Sequence, residues 1–221
     1  MTFNFCPPKI LTDLKSETFP DGKRYYTLED GTRLPSVTTV LGAQKKQGIM
    51  EWRKRVGEAE ANRISKQATG RGTNVHKIAE DYLNNDINYL KDHFPDVKEM
   101  FLSIKPLIDE NVSNIWYQEC ALYSRTLGLA GRVDLISEWN GVLSIIDFKT
   151  SNKIKTRDYI ESYFQQECAY ALMLEEMIGH PIHQLVTLIA VENGPPQVFI
   201  EKTEDHIEGL VKAINFYKEN S

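Results

Sequence analysis

An apolar segment that ends in a carboxylate and an ammonium, residues 142 to 150, constrains the fold of this chain more than any other feature. Its first five residues are apolar except for Ser144, as in a central β-strand that is buried on both faces. Strand side chains alternate between two faces, so Asp147 and Lys149 would emerge on the same side near the C-terminal end. Charge inside a protein is costly unless it is paired or bound to a metal ion. The segment therefore predicts a polar site at the end of a central strand.

A second acidic residue, Asp134, lies in the preceding apolar segment, residues 131 to 136. The sequence Trp139-Asn140-Gly141 is typical of a tight turn between antiparallel strands, and such a turn would bring the two segments side by side. Asp134 and Asp147 would then repel each other unless a proton or a cation lies between them. Oxygen ligands of this kind favour Mg²⁺ or Mn²⁺.

A divalent ion at this position indicates phosphate chemistry. Such an ion can bind a phosphate oxygen, lower the pKa of a bound water and stabilise the charge that grows on phosphorus. Lys149 would position or deprotonate that water, or stabilise the transition state. The alternative is a salt bridge between Asp147 and Lys149 at a strand end, with Asp134 a surface residue near a turn.

The succession of hydrophobic periods predicts one α/β domain with a helical N-terminal extension. Gly70-Arg71-Gly72-Thr73 is predicted to be a loop that ends in a helix N-cap, and Pro106 should kink or end the helix that contains it. The predicted helices are 49–68, one that follows residue 73, one around 97–108, 157–177 and 204–218, and the predicted strands are 116–123, 129–138, 142–150, 184–192 and 197–201.

Composition places the chain among globular proteins, since 41% of its 221 residues are hydrophobic and 26% are charged. No apolar run reaches the roughly 18 residues of a membrane span, and the N-terminus resembles no secretory or transit signal. Cys6, Cys120 and Cys168 form neither a disulfide framework nor a zinc or iron–sulfur pattern. Reduced thiols, no membrane contact and a cytoplasmic location, in a bacterium or a phage-infected host cell, are the expectation.

The charge of the chain is unevenly distributed. The whole chain carries −5, yet residues 43 to 80 contain nine basic and four acidic side chains, which leaves −10 for the rest. This polarity would suit an enzyme that touches phosphate on one face. A solvated helix surface with a chance excess of Lys and Arg explains it as well.

Four motifs in order resemble those of the PD-(D/E)XK nuclease superfamily. The first is Arg71-Gly72-Thr73-x-x-His76, and Gly131-x-x-Asp134, Asp147-x-Lys149 and Gln166-x-x-x-Tyr170 follow it. The resemblance is closest to the RecB-type branch, which includes phage and mitochondrial genome maintenance exonucleases. The segment 34–41 is similar to the start of the mitochondrial type, so the resemblance covers roughly residues 34 to 192. The four cysteines that bind an iron–sulfur cluster in other RecB-type nucleases are not present.

The resemblance implies a fold and a set of site residues. The fold would be a restriction-endonuclease-like core with a central mixed β-sheet flanked by helices, formed by residues 73–221. Residues 1–72 would be an extension that packs on this core and contacts DNA. The catalytic residues would be Asp134, Asp147 and Lys149, and the metal ligands would be His76, Asp134, Asp147 and the backbone carbonyl of Phe148.

Four further side chains would contact nucleic acid, namely Gln166, Tyr170, Arg71 and Ser36. For Gln166 and Tyr170 the alternative is the surface of an amphipathic helix, and for Ser36 it is the capping of a helix. For His76 the alternative is an ordinary hydrogen-bonded histidine. Either Glu80 or Glu119 could reach a second metal ion, and the sequence does not choose between them.

The implied function is a Mg²⁺- or Mn²⁺-dependent DNA exonuclease that prefers single-stranded ends. No G-x-x-x-x-G-K-[ST] loop is present, so a helicase or another replication or recombination protein would be a separate partner. An endonuclease of the same chemistry is the first alternative. An inactive fold that only binds nucleic acid is the second, and the intact Asp134, Asp147 and Lys149 speak against it.

Overall fold

The computed structural model describes residues 2–220. The strands are β1 (Lys15–Thr18), β2 (Arg24–Thr27), β3 (Arg33–Pro35), β4 (Val112–Ser124), β5 (Leu129–Trp139), β6 (Val142–Ser151), β7 (Gln184–Val191) and β8 (Gln197–Lys202). The helices are α1 (Val37–Ala43), α2 (Lys46–Val56), α3 (Glu58–Leu83), α4 (Pro95–Asn111), α5 (Glu161–Ile178) and α6 (Ile207–Glu219), with short 3₁₀ turns at Arg157–Tyr159 and Thr203–His206.

A five-stranded mixed sheet with the order β4-β5-β6-β7-β8 forms the centre of the protein. The β6–β7 pair is parallel, whereas the other three pairs are antiparallel. A parallel pair needs a crossover connection, and α5 supplies it by running back across one face of the sheet. The α/β class and the mixed sheet flanked by helices are therefore confirmed.

The predicted turn between β5 and β6 is confirmed as well. Asn140 and Gly141 both have positive φ angles, of 53° and 75°. Two consecutive residues of this kind form the hairpin turn whose twist matches that of the flanking strands. The turn sets the register that pairs Leu135 with Ile146 and thereby brings the ends of the two acidic segments together.

Helices cover both faces of the sheet. On one face α3 and α4 bury an apolar layer that includes Ile78, Phe101, Ile104 and Trp139. On the other face α1 and α5 pack on the sheet, and α6 packs against these two helices. Because both faces are covered, residues 144–148 of β6 are buried, whereas Val142 at its start is exposed and Lys149 and Thr150 near its end are half-buried.

The loop predicted at residues 70–73 is wrong, because α3 continues through it from Glu58 to Leu83. A glycine inside a helix costs only about 1 kcal/mol relative to alanine, and the packed second half of α3 outweighs that cost. Gly72 lies where the helix runs close over the end of β6, because a Cβ atom on it would lie 3.6 Å from Oγ1 of Thr150. The predicted boundary at residue 72 lies inside this helix.

Pro106 does not end α4, which runs to Asn111. The missing N–H of a proline leaves one carbonyl of the helix without its intrahelical partner. Buried apolar residues before and after it, such as Phe101 and Ile108, hold the two parts of the helix on the sheet.

The N-terminal residues form a small antiparallel sheet, β1-β2-β3, beside the ends of β4 and β5. A separate apolar cluster joins the two sheets through Tyr26, Leu34, Ala121 and Ala130. Across residues 2–220, no helix is long and apolar enough to cross a membrane.

Candidate active site

Asp134 lies where β5 and β6 separate. The ladder between these strands ends at the pair Leu135 and Ile146. Beyond it, the Asp134 carboxylate accepts a hydrogen bond from the backbone N–H of Phe148 at 2.9 Å. The Asp134 side chain is only 12% exposed, so its position is fixed by this contact and by its surroundings.

Asp147 is held by two neighbouring side chains. Its Oδ1 accepts a hydrogen bond from the Gln166 amide at 3.0 Å, and its Oδ2 forms an ion pair with the Lys149 ammonium. Lys149 also donates to the Gln166 carbonyl oxygen at 3.4 Å. Asp147 and Lys149 therefore share one face of β6, as strand alternation predicts, and α5 adds a third member to the group.

Burial controls the protonation of this group. It raises the pKa of the Asp147 carboxyl to about 6, because desolvation and the charge of Asp134 outweigh the attraction of Lys149. Burial acts against the charge of Lys149, but the carboxylates of Asp147 and Asp134 outweigh it and raise the pKa of the ammonium above its usual range. Lys149 is thus a cation at neutral pH.

His76 reaches the site from α3. Its Nδ1 lies 3.4 Å from Oδ2 of Asp134, and its side chain is 29% exposed. Burial lowers the pKa of His76, but the attraction of Asp134 is stronger and raises it to about 9. In the protein without a metal ion, His76 and Asp134 therefore form an ion pair at neutral pH.

Glu119 completes the group from β4. It lies opposite Asp134, between the paired residues Gln118–Leu135 and Cys120–Val133. Its backbone is left-handed, with φ of 46°, a conformation that is rare for a glutamate inside a strand and that collects at functional sites. Burial and the charge of Asp134 raise the pKa of its carboxyl to about 7.

The side chains of His76, Glu119 and Asp134 fit a divalent metal ion. One ligand atom from each lies within 4.8 Å of the other two. They line an open cleft of about 470 Å³, so an ion and a substrate have access to them. Two carboxylates and an imidazole suit Mg²⁺ or Mn²⁺. Burial raises the pKa of the Glu119 and Asp147 carboxyls, and the negative charge of Asp134 raises both further, a repulsion that a cation would relieve.

Of the two glutamates that the sequence left open, only Glu119 belongs to this group. Glu80 lines the same cleft, but its carboxylate lies 3.3 Å from the ammonium of Lys77. Phe148 supplies the N–H that orients Asp134, and its ring packs edge-on against His76.

Gln166 and Tyr170 lie one helical turn apart on α5 and face the site. The Gln166 amide lies 3.4 Å from the Tyr170 hydroxyl and also binds Asp147. Tyr170 is only 2% exposed, and its ring packs against Gly131. Gln166 is therefore the member of this pair that has access to a substrate, and the buried Tyr170 contacts Gln166 from the protein interior.

Arg71 and Ser36 lie outside this group. Arg71 forms an ion pair with Glu192 at 2.6 Å and lines a separate cleft. The hydroxyl of Ser36 accepts a hydrogen bond from the N–H of Thr39 at 3.0 Å and caps α1. Ser36 is 3% exposed, so its hydroxyl serves the protein itself.

Two residues near Lys149 were not predicted from the sequence. The Lys149 ammonium lies 5.1 Å from the centre of the Tyr163 ring, and the ammonium of Lys45 lies 6.0 Å from the same ring. Tyr163 lies three residues before Gln166, and this spacing on one helix face is the signal that could have found it. Lys45 is distant in sequence and gave no such signal.

Comparisons with known proteins found a matching family and a similar solved structure. The family model for the PD-(D/E)XK nuclease superfamily matches residues 50–214. A solved structure of a candidate exonuclease from Eubacterium rectale is similar, with a TM-score of 0.49 and 13% sequence identity. The match covers 68% of this chain and 65% of that one, so this chain spans slightly less than two thirds of the relative. No curated protein matches the chain. The extent of the family match shows that the chain belongs to the PD-(D/E)XK nuclease superfamily.

Proposed function

We propose that this protein is a Mg²⁺- or Mn²⁺-dependent DNA exonuclease of the RecB-type branch that digests single-stranded ends. The observation that carries the proposal is the convergence of two groups in one place. His76, Glu119 and Asp134 offer ligand atoms to a cation, and the pair of Asp147 and Lys149 lies beside them. Because the chain belongs to this nuclease superfamily, we expect these residues to hydrolyse phosphodiester bonds.

The metal ion, when bound, would activate a water molecule and stabilise negative charge on phosphorus. His76, Glu119 and Asp134 would hold it, with Asp147 and the carbonyl of Phe148 as further ligands. The N–H of Phe148 keeps the Asp134 carboxylate in place for this role.

Lys149 would act as a fixed positive charge beside the reacting phosphate. Its raised pKa keeps the ammonium protonated at neutral pH, which supports stabilisation of the transition state over deprotonation of water. Gln166 binds both Asp147 and Lys149 and so keeps the ammonium directed into the site.

Basic side chains around the metal cleft would bind the phosphates of the substrate. Arg24, Lys77 and Arg132 line this cleft together with the ligands. Arg24 belongs to the N-terminal sheet, which supports the proposal that residues 1–72 contact DNA beside the core of residues 73–221. Cations at the rim would also attract the anionic substrate from solution.

The test compares linear and circular single-stranded DNA in the presence of Mg²⁺ or Mn²⁺. The exonuclease proposal predicts that end-labelled linear strands are digested and that a closed circle of the same length stays intact. Cutting of the circle would instead establish an endonuclease. If neither substrate is cut with either metal ion, the nuclease proposal fails.

A further inference from the structure

A second cleft, larger than the metal cleft, lies on the other side of the point where α3 meets β6. It has a volume of about 820 Å³ and is lined by one face of α3, the start of α4 and the residues that follow Lys149. Gly72 and Thr150 are neighbours between the two clefts: Gly72 lines the metal cleft and Thr150 lines the second one. We call the second one the α3–β6 cleft. The residues that line it include Arg63, Lys66, Arg71, Phe94, Asp96 and Lys155.

Two cations of the α3–β6 cleft are available to bind an anion. Lys66 and Lys155 have no ion-pair partner among residues 2–220, in contrast to Arg63, which is paired with Glu60. Of the two acidic residues that line the cleft, Glu192 is neutralised by Arg71 at 2.6 Å. The cleft is therefore positively charged on balance, and the net charge of the whole chain does not predict this.

An exposed aromatic ring lies in the same cleft. Phe94 is 73% exposed, although a phenylalanine of a folded protein is usually buried. It immediately precedes Pro95, the first residue of α4, so the backbone that carries the ring is held at the end of a packed helix. An aromatic ring beside unpaired cations is the combination with which proteins bind single-stranded nucleic acid: bases stack on the ring and phosphates contact the cations.

The positive charge of the α3–β6 cleft continues to the catalytic group. The Lys45 and Lys149 ammonium groups lie beside the same Tyr163 ring. Burial lowers the pKa of Lys45, and the charges of Lys149 and of Lys155, which lines the cleft, lower it further. A strand with its scissile phosphate beside Lys149 could therefore extend over Thr150 into the cleft without leaving a positive surface.

We propose that the α3–β6 cleft binds a single-stranded DNA segment that adjoins the scissile phosphate, with a base stacked on Phe94 and phosphates on Lys66 and Lys155. The inference rests on the proposed function for its substrate. It adds a binding site on the side of α3 away from the metal cleft.

The test is binding of a fluorescein-labelled 20-nucleotide oligothymidylate, followed by fluorescence anisotropy in EDTA so that no hydrolysis occurs. Phe94→Ala should raise Kd at least about fivefold, as expected for loss of one stacked base. Lys66→Ala with Lys155→Ala should make the slope of log K against log salt shallower by about 1.4, as expected for two lost phosphate contacts on a single strand. A blunt duplex, whose bases are not free to stack, should bind more weakly than the single strand.

Matched controls use residues that line neither cleft. Lys202→Ala with Lys218→Ala removes two exposed cations, and Ile87→Ala removes an apolar side chain that is 91% exposed. These variants should bind the oligonucleotide as the wild-type protein does. The proposal is overturned if the cleft variants weaken binding no more than the controls, or if the duplex binds as tightly as the single strand.

The outcome for the cleft can be separated from the outcome for the nuclease. Normal hydrolysis of a dinucleotide by a cleft variant that has lost affinity for the 20-mer supports both proposals. Hydrolysis by the wild-type protein together with unchanged 20-mer binding by the cleft variants overturns the cleft alone. Binding that depends on Phe94 in a protein that never hydrolyses DNA supports the cleft and overturns the nuclease.

Discussion

The ring of Tyr170 occupies the space that a side chain at Gly131 would need. A Cβ atom on Gly131 would lie 2.7 Å from Cε1 of Tyr170, closer than real Cβ contacts come. The absence of a side chain in β5 thus lets α5 approach the sheet, and α5 carries the Gln166 amide that binds Asp147. This contact links the motif around Asp134 to the motif around Gln166.

Gly131→Ala should destabilise the protein by about 1–3 kcal/mol, the usual cost of overpacking a core. Tyr170 is buried and cannot move aside, so α5 must shift instead. Urea denaturation measures the effect. Gly209→Ala is the matched control, because its Cβ would meet only the flexible end of Gln165 and alanine favours a helix. Equal stability of the Gly131 variant and the wild type would contradict this packing.

Glu119→Gln should weaken Mn²⁺ binding by about tenfold or more, whereas Glu80→Gln should change it little. The reason is that Glu119 lies with His76 and Asp134, and Glu80 is directed to Lys77. Isothermal titration with Mn²⁺ in the absence of DNA measures both variants. A larger loss for Glu80→Gln than for Glu119→Gln would show that the wrong glutamate has been assigned.

Metal binding should release protons and should strengthen as pH rises. The pKa of His76 is about 9 without metal, so its imidazole is protonated at pH 7 and must lose that proton to act as a ligand. Glu119, with a pKa of about 7, contributes part of a second proton. Titrations in buffers of different ionisation enthalpy count the protons. Release at pH 7 should fall by about one in His76→Ala, and an unchanged count would exclude His76 as a ligand.

Glu167→Gln should stabilise the protein more at pH 8 than at pH 5. Burial raises the pKa of Glu167 well above its ordinary value, and the charge of Asp147 adds to this effect. The folded protein therefore keeps a proton on Glu167 that the unfolded chain loses above about pH 4.5. As pH rises above that value, the Glu167 carboxyl makes the free energy of unfolding smaller. Glutamine keeps the oxygen that accepts the Thr187 hydroxyl hydrogen bond and carries no charge. Urea denaturation at both pH values measures the difference.

The control for this prediction is Glu175→Gln, at an exposed position on the same helix, which should leave the pH dependence unchanged. A Glu167→Gln variant whose gain is the same at pH 5 and pH 8 would show that Glu167 is not protonated in the folded protein.

Much of the sheet could be predicted because strand alternation and turn residues are local properties. The pairing of the segments around Asp134 and Asp147 follows from the turn at Asn140 and Gly141, whose positive φ angles the sequence indicates. The continuous α3 could not be predicted, because Gly72 is accommodated in that helix next to Thr150, a residue 78 positions away in the chain.

The site was harder to predict wherever a residue depends on distant partners. The sequence indicates Glu119 only as one of two alternatives. The backbone of Glu119 itself is left-handed within β4, and no local motif marks this conformation. Arg71 reads locally as a phosphate-binding residue, yet its partner Glu192 lies 121 residues further along the chain. Contacts of this kind are set by the tertiary structure.

The release of nucleotides from end-labelled single-stranded DNA with Mg²⁺ or Mn²⁺ measures whether Asp147 and Lys149 perform the proposed phosphodiester hydrolysis. Asp147→Asn and Lys149→Ala should each reduce the rate by about 100-fold or more, the usual cost of removing one group that stabilises a transition state. Lys153→Ala, an exposed lysine just beyond β6, should retain wild-type activity. Undiminished activity in the Asp147 and Lys149 variants would contradict a catalytic role for these two residues.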